Sequence, residues 1–175
     1  MRIGNRIIIV GCPGSGKSTL ARKLREVTGL PLVHLDNLWW NADGTHVSRE
    51  VFDRKLAAVL SGDRWIVDGN FNRTLETRFR ACDTVIFLDC DAATCLRGIA
   101  ERVGRARSDI PWVEAQLDPE FEAYVHSFRR DSRPAICALL EKYPDRQTYV
   151  LQSRSEADRW LEAIDGANHP SGGST

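Results

Sequence analysis

Surplus charge is missing from this sequence: 24 Lys plus Arg balance 24 Asp plus Glu over 175 residues. A neutral chain carries no global field for polyanions, so general nucleic-acid binding is not expected. No apolar run approaches the roughly 18 residues of a membrane span, so no membrane association is expected. The first apolar run, Ile7 to Val10, is short and meets Gly, Pro and Lys at once. A secretory leader is therefore not expected. Cys-x-x-Cys spacing is also missing. The five cysteines (Cys12, Cys82, Cys90, Cys95 and Cys137) are odd in number, and with four scattered histidines they make no zinc site. Free buried thiols in a reducing compartment account for them, so a cytoplasmic location is expected. His34 and His126 have no metal partner and receive no role. Internal repeats and dividing linkers are lacking too, which leaves one domain over residues 1–165.

What is present is an alternation of strand and helix signals. Arg6 to Val10 is a β-branched run, as in a strand buried on both faces. Further short strands are expected at Pro31 to Leu35, Trp65 to Val67, Thr84 to Leu88 and Thr148 to Leu151. Helices are expected between them. Ser48 caps one, Asp91 opens one with an apolar stripe from 92 to 103, and Asp118-Pro119 starts another that Pro134 breaks or kinks. Ser153 and Glu156 form a capping box before the last helix. A short charged helix is expected over about Asn72 to Arg80. The composition from Gly166 predicts a disordered tail over 166–175. Strands separated by helices imply an α/β fold with a parallel sheet covered on both faces. Residues 36–50 are expected to form a flap, and 104–118 a mobile lid.

One motif carries chemistry. Gly11-Cys12-Pro13-Gly14-Ser15-Gly16-Lys17-Ser18-Thr19 contains the full Walker A pattern, with a strand before it and a helix after it. Its glycines allow a backbone cradle for phosphate, Lys17 can reach the outer phosphates, and the Ser18 hydroxyl can ligate Mg²⁺. Cys12 within this loop is either an oxidation-sensitive thiol or a residue that tolerates a tight turn. Asp36, Asp68 and Asp89 each follow a strand, where open α/β sheets place their ligands. Asp36 and Asp68 are candidates to hold Mg²⁺ through water or to accept a substrate proton; Asp89 reads as a turn or cap. Arg97, Arg102, Arg105 and Arg107 cluster on and after one helix, and Arg129, Arg130 and Arg133 follow the lid. Such forks suit phosphate oxygens. Arg73 and Arg78 are candidates to face an acceptor. Trp39 and Trp40 either line an acceptor pocket or pack under the flap.

Together these residues resemble the adenylate-kinase-like branch of P-loop kinases. More narrowly the chain is similar to the bacterial DNA topology modulation proteins, a kinase-like family. That resemblance rests on the Walker A segment, on His34-Leu-Asp-Asn-Leu-Trp-Trp40, and on Trp65-Ile-Val-Asp-Gly-Asn-Phe-Asn-Arg73. Glu101-Arg-Val-Gly-Arg105 and Phe128-Arg-Arg-Asp-Ser-Arg-Pro134 also fit. The resemblance implies a three-layer P-loop NTPase fold with five strands in the order 2-3-1-4-5, a short lid, and ATP with Mg²⁺. It implies that Arg102 and Arg105 act as lid arginines, that Arg129 and Arg133 are the arginines after the lid, and that Gln152 lies beside the adenine. Where adenylate kinases carry Asp-Gly-Phe-Pro-Arg, this chain has Asp68-Gly-Asn-Phe-Asn-Arg73, which argues against AMP as acceptor. The expected activity is transfer of the γ-phosphoryl of Mg-ATP to a small-molecule or nucleotide acceptor, by a monomer or weak dimer. The alternative is a nucleotide-dependent regulator acting on DNA or a protein. A GTPase switch is disfavoured because the Asn-Lys-x-Asp guanine motif is absent.

Overall fold

The computed structural model describes residues 3–168. Five strands form one all-parallel sheet in the order β2-β3-β1-β4-β5. They are β1 (Arg6–Gly11), β2 (Leu32–His34), β3 (Trp65–Asp68), β4 (Thr84–Leu88) and β5 (Gln147–Leu151). Ile7, Ile8 and Ile9 are fully buried, as are Ile66, Val67, Val85 and Ile86 on the neighbouring strands. Burial on both faces is why β1 reads as a continuous apolar run rather than an alternating one. β5 lies at the sheet edge, and its Val150 is exposed.

The helices are α1 (Lys17–Thr28), α2 (Leu35–Trp39), α3 (Arg49–Leu60), α4 (Leu75–Ala81), α5 (Ala92–Ala100), α6 (Pro119–Asp131), α7 (Arg133–Lys142) and α8 (Arg154–Asn168). α2 packs on α3. α1 packs on α8, while α4 packs on α7, which leads through α6 to α5. The caps follow the sequence. Ser48 accepts from the Val51 amide at 3.3 Å, Asp91 from Thr94 at 2.6 Å and Asp118 from Glu120 at 2.9 Å. The Ser153 hydroxyl accepts from Glu156 at 3.1 Å, and the Glu156 carboxylate accepts from the Gln152 amide at 2.6 Å. Pro134, which lacks an amide donor, separates α6 from α7 at Ser132.

Some local expectations are adjusted. Residues 36–50 hold the short helix α2 and a tight turn closed by an antiparallel bridge between Trp40 and His46. The charged segment before β4 begins as a 3-10 turn over Asn72–Thr74 and becomes α4 at Leu75. α5 stops at Ala100, where the Arg102 and Val103 amides switch to carbonyls three residues back. Residues 104–118 contain neither helix nor strand; the Gly104 amide ties back to the Glu114 carbonyl at 2.8 Å. α8 stays helical through Asn168, and the rest of the expected tail, 169–175, lies outside the described residues. Among the described residues no helix is long and apolar enough to cross a membrane.

The register fixes where chemistry can occur. His34 pairs with Asp68, Asp68 with Ile9, and Gly11 with Leu88. The carboxyl ends of four adjacent strands therefore share one rim, and the Walker loop leaves from its centre.

Candidate functional site

The loop between β1 and α1 is held from several sides. Gly14 has φ +82°, and a Cβ there would come within 2.0 Å of the Cys95 carbonyl oxygen. A Cβ at Gly98 would meet the Gly14 carbonyl at 2.0 Å. The backbones of loop and α5 touch, which only two glycines permit. Asn70 accepts from the Gly11 amide at 3.2 Å. Arg154 donates to the Gly14 carbonyl at 2.9 Å and to Glu101 at 2.8 Å. Lys17 Nζ donates to the Cys12 carbonyl at 3.0 Å, and the buried Ser15 hydroxyl has no hydrogen-bond partner among the described residues. A buried donor without a partner is costly, and this one sits in a loop with an ammonium and a helix N-terminus. Such a donor set fits phosphate. Cys12 is buried; its hydrogen bond with Cys95 and its burial push the thiol far up, which leaves no reactive thiolate.

Beside the loop lie two carboxylates. Asp68 is 3% exposed and meets His34 Nδ1 at 2.9 Å through Oδ2, while its Oδ1 has no hydrogen-bond partner among the described residues. Asp36, on α2, has its pKa raised to about 6 by burial and by Asp68 and Asp109, with Lys17 and Arg107 opposing. Lys17 is pushed down by burial, which Asp68 partly offsets. Both carboxylates line a cavity of about 1040 Å³ together with Gly14 to Thr19 and the segment after α5.

That segment lies across α1. Ser18 donates to Asp109 Oδ2 at 2.8 Å. Arg107 donates to Asp109 Oδ1 at 3.0 Å and to Glu114 at 3.0 Å. Burial alone would raise Asp109, but Arg107 and Ser18 outweigh it and hold the carboxyl at about 2. Arg22 and Asn37 reach Ser108 at 3.1 and 3.0 Å, and Trp112 meets Trp40 edge-on at 5.2 Å. Arg102, Arg105 and Arg107 all line the cavity.

The remaining residues singled out from sequence sit elsewhere. Trp40 lines the cavity, but Trp39 stacks on His46 at 4.4 Å and edge-on to Phe52 at 5.7 Å. Arg73 is held by Asp53 at 2.9 and 2.6 Å, away from the lining. Arg78, unlike the acceptor-facing side chain expected, is fully buried and donates to the Gly69 carbonyl at 2.8 Å, to Phe71 at 3.2 Å and to Asn70. It holds the loop after β3, where Phe71 adopts φ +39°. Arg133 clasps Asp89 at 2.8 and 2.7 Å, so Asp89 is an ion-pair partner rather than a cap. Arg129 and Gln152 are exposed and outside the lining, and Gly11 and Cys12 are buried and outside it too. The sequence reading assigned nothing to Asp109, Arg154, Gly98 or His34. Gly98 left a signal, a glycine inside an apolar stripe, whereas Arg154 left none.

Comparison with known proteins agrees with this geometry. The profile of the AAA domain family (AAA_18) matches residues 7–116. No curated protein matches the sequence. Solved structures match in fold. Shikimate kinase from Acinetobacter baumannii, in complex with shikimate, aligns with TM-score 0.61 and 16% identity, over 98% of this chain and 96% of that one. Shikimate kinase from Bacteroides thetaiotaomicron gives 0.57 and 18%, over 93% and 97%. A gluconokinase from Sinorhizobium meliloti 1021 gives 0.53 and 14%, over 99% and 100%.

Proposed function

The chain belongs to the AAA domain family, and from that premise we propose that it is a P-loop phosphotransferase, moving the γ-phosphoryl of Mg-ATP to an acceptor hydroxyl. The observation that carries this reading is one cavity lined by the Walker lysine, two strand-end carboxylates and the lid arginines. The fold likeness to shikimate kinase and gluconokinase supports a small acceptor. The narrower kinship with the DNA topology modulation proteins rests on the segments quoted above and is proposed with it.

In this reading the loop amides and Lys17 hold the phosphates. Ser18 donates a hydrogen bond to Asp109, which would leave its oxygen lone pairs to hold Mg²⁺; Asp36 or Asp68 would reach the ion through water. Bound Mg²⁺ supplies charge neutralisation on the phosphate oxygens. The acceptor oxygen bonds to the γ-phosphorus as the bond to the bridging oxygen of departing ADP breaks. The proton passes to a carboxylate, and Asp36, with its pKa near 6, is matched to take it at neutral pH. Arg102 and Arg105 offset charge in the transition state, and the lid excludes water.

Lys17→Ala tests the assignment. The variant is expected to lose affinity for an ATP analogue in calorimetry and to lose ATP consumption. Unchanged affinity together with unchanged consumption would overturn it.

A further inference from the structure

Resting on the phosphotransferase reading, we propose that the acceptor is a cationic hydroxyl compound, an amine-bearing alcohol or sugar, and neither a carboxylate nor a phosphate. The cations lining the cavity are sorted by element, whereas carboxylates come from both sides, Glu101, Asp109, Glu114 and Asp158 among them. Every lysine and arginine in the lining comes from the Walker loop and α1, from α5 and the segment after it, or from α8. The Walker loop with α1 and the segment after α5 act on the phosphates in the reading above, and Arg154 on α8 is engaged by Gly14 and Glu101. The elements on the β2–β3 side, together with α6, supply no cation. They contribute Asp36, Asp68 and Asp118, the polar Asn70, and the rings of Trp40, Phe71, Phe121 and Tyr124.

Three arginines that flank these elements are engaged elsewhere. Arg73 is held by Asp53, Arg78 by three main-chain carbonyls, and Arg133 by Asp89. Arg129 lies outside the lining. An acceptor carboxylate or phosphate at this end would face Asp36 and Asp68, while the lining cations that act on those carboxylates, Lys17, Arg102 and Arg107, belong to the phosphate-side elements. Unpaired like charges in a partly dry site reject a ligand strongly.

Asp68 points to what is accepted. Its Oδ2 is engaged by His34, while Oδ1 is buried and without a hydrogen-bond partner among the described residues. A buried carboxylate oxygen lacking a donor costs free energy until a ligand supplies one. An ammonium offers three donors, and the surrounding rings suit a cation through their negative faces. Carboxylates and aromatic rings on elements that bring no lysine or arginine to the lining are the features of a site for an amine.

The test uses the wild-type protein saturated with a non-hydrolysable ATP analogue and Mg²⁺, titrated calorimetrically with size-matched probes. Glucosamine and tyramine are the cations; gluconate, shikimate and AMP are the anions. The cations are expected to bind at least about tenfold more tightly than the anions, a gap of about 1.4 kcal/mol. Anions binding as tightly as the cations, or no cation binding at all, would overturn the assignment. Failure of the analogue itself to bind strikes the phosphotransferase reading instead, and the acceptor assignment falls with it. Trp40→Leu should weaken glucosamine about tenfold and leave analogue affinity unchanged, and Asp68→Asn, read at saturating analogue, should weaken glucosamine by as much. Glucosamine binding unmoved in both variants, with analogue affinity retained, would equally sink it.

Discussion

Asp36 carries its charge at neutral pH against burial and against Asp68 and Asp109, which together raise its pKa to about 6. Between about pH 4 and pH 6 the folded protein therefore holds a proton that the unfolded chain has released. Stability is greatest in acid, falls as pH rises through that window, and is level above it with respect to this group. Asp36→Asn should accordingly raise stability at about pH 8 by on the order of 2–3 kcal/mol, and by little at about pH 4. Urea unfolding at the two pH values checks this; equal midpoint shifts at both would assign the effect to packing instead. The same variant should lose turnover by about 10² or more, while wild-type activity falls below about pH 6. The sequence disclosed this residue because it follows a strand, and it disclosed Lys17 and Ser18 because their motif is local. It could not disclose Asp109 or Arg154, whose partners Ser18 and Gly14 lie 91 and 140 positions away. Arg78 was misplaced for a related reason: an arginine on a short amphipathic helix reads alike whether it faces a ligand or a set of carbonyls.

At the scale of elements, strands and caps were legible because each depends on a few adjacent residues. The five strands, the caps at Ser48, Asp91 and Asp118, and the break before Pro134 all follow from local patterns. The flap was expected over 36–50, but its internal structure was not legible. A five-residue helix is too short to show a period, and the stacking of Trp39 on His46 closes a turn that no local pattern marks. The segment over 104–118 is tied down mainly by polar contacts to α1 and α2 through Ser108 and Asp109. Contacts of that kind open more readily than an apolar core. Hydrogen exchange in 104–118 should be faster than in the sheet, should rise further in Asp109→Asn, and should slow with an ATP analogue and Mg²⁺. An exchange rate indifferent to both the variant and the analogue would make the segment an ordinary surface connection. Replacing Arg102 and Arg105 with Ala should lower turnover by about 10² or more, with a smaller effect on analogue affinity.

For the whole molecule, site and scaffold share atoms at the contact of Gly14 with α5. Gly98→Ala places a methyl group 2.0 Å from the Gly14 carbonyl, so backbone must move. A loss of about 1–3 kcal/mol in stability is expected, with weaker ATP-analogue binding, because one displacement serves both. Analogue at about 100 times its dissociation constant should stabilise the wild type by about 2.7 kcal/mol. For a chain of this length that is a rise in Tm of roughly 5–11 °C, measurable by scanning fluorimetry, and smaller in Gly98→Ala at the same concentration. The loop after β3 shows the opposite arrangement. Arg78 grips it through the carbonyls of Gly69, Asn70 and Phe71. Main-chain anchoring is blind to what the side chains are, and at φ +39° the backbone of residue 71 suits Asn or Gly at least as well as Phe. The ring that lines the cavity can therefore be exchanged while the turn beneath it keeps its course. In a lineage descended from this chain, substrate choice and scaffold could be inherited separately, with new acceptors reached by single replacements and no refolding of the frame.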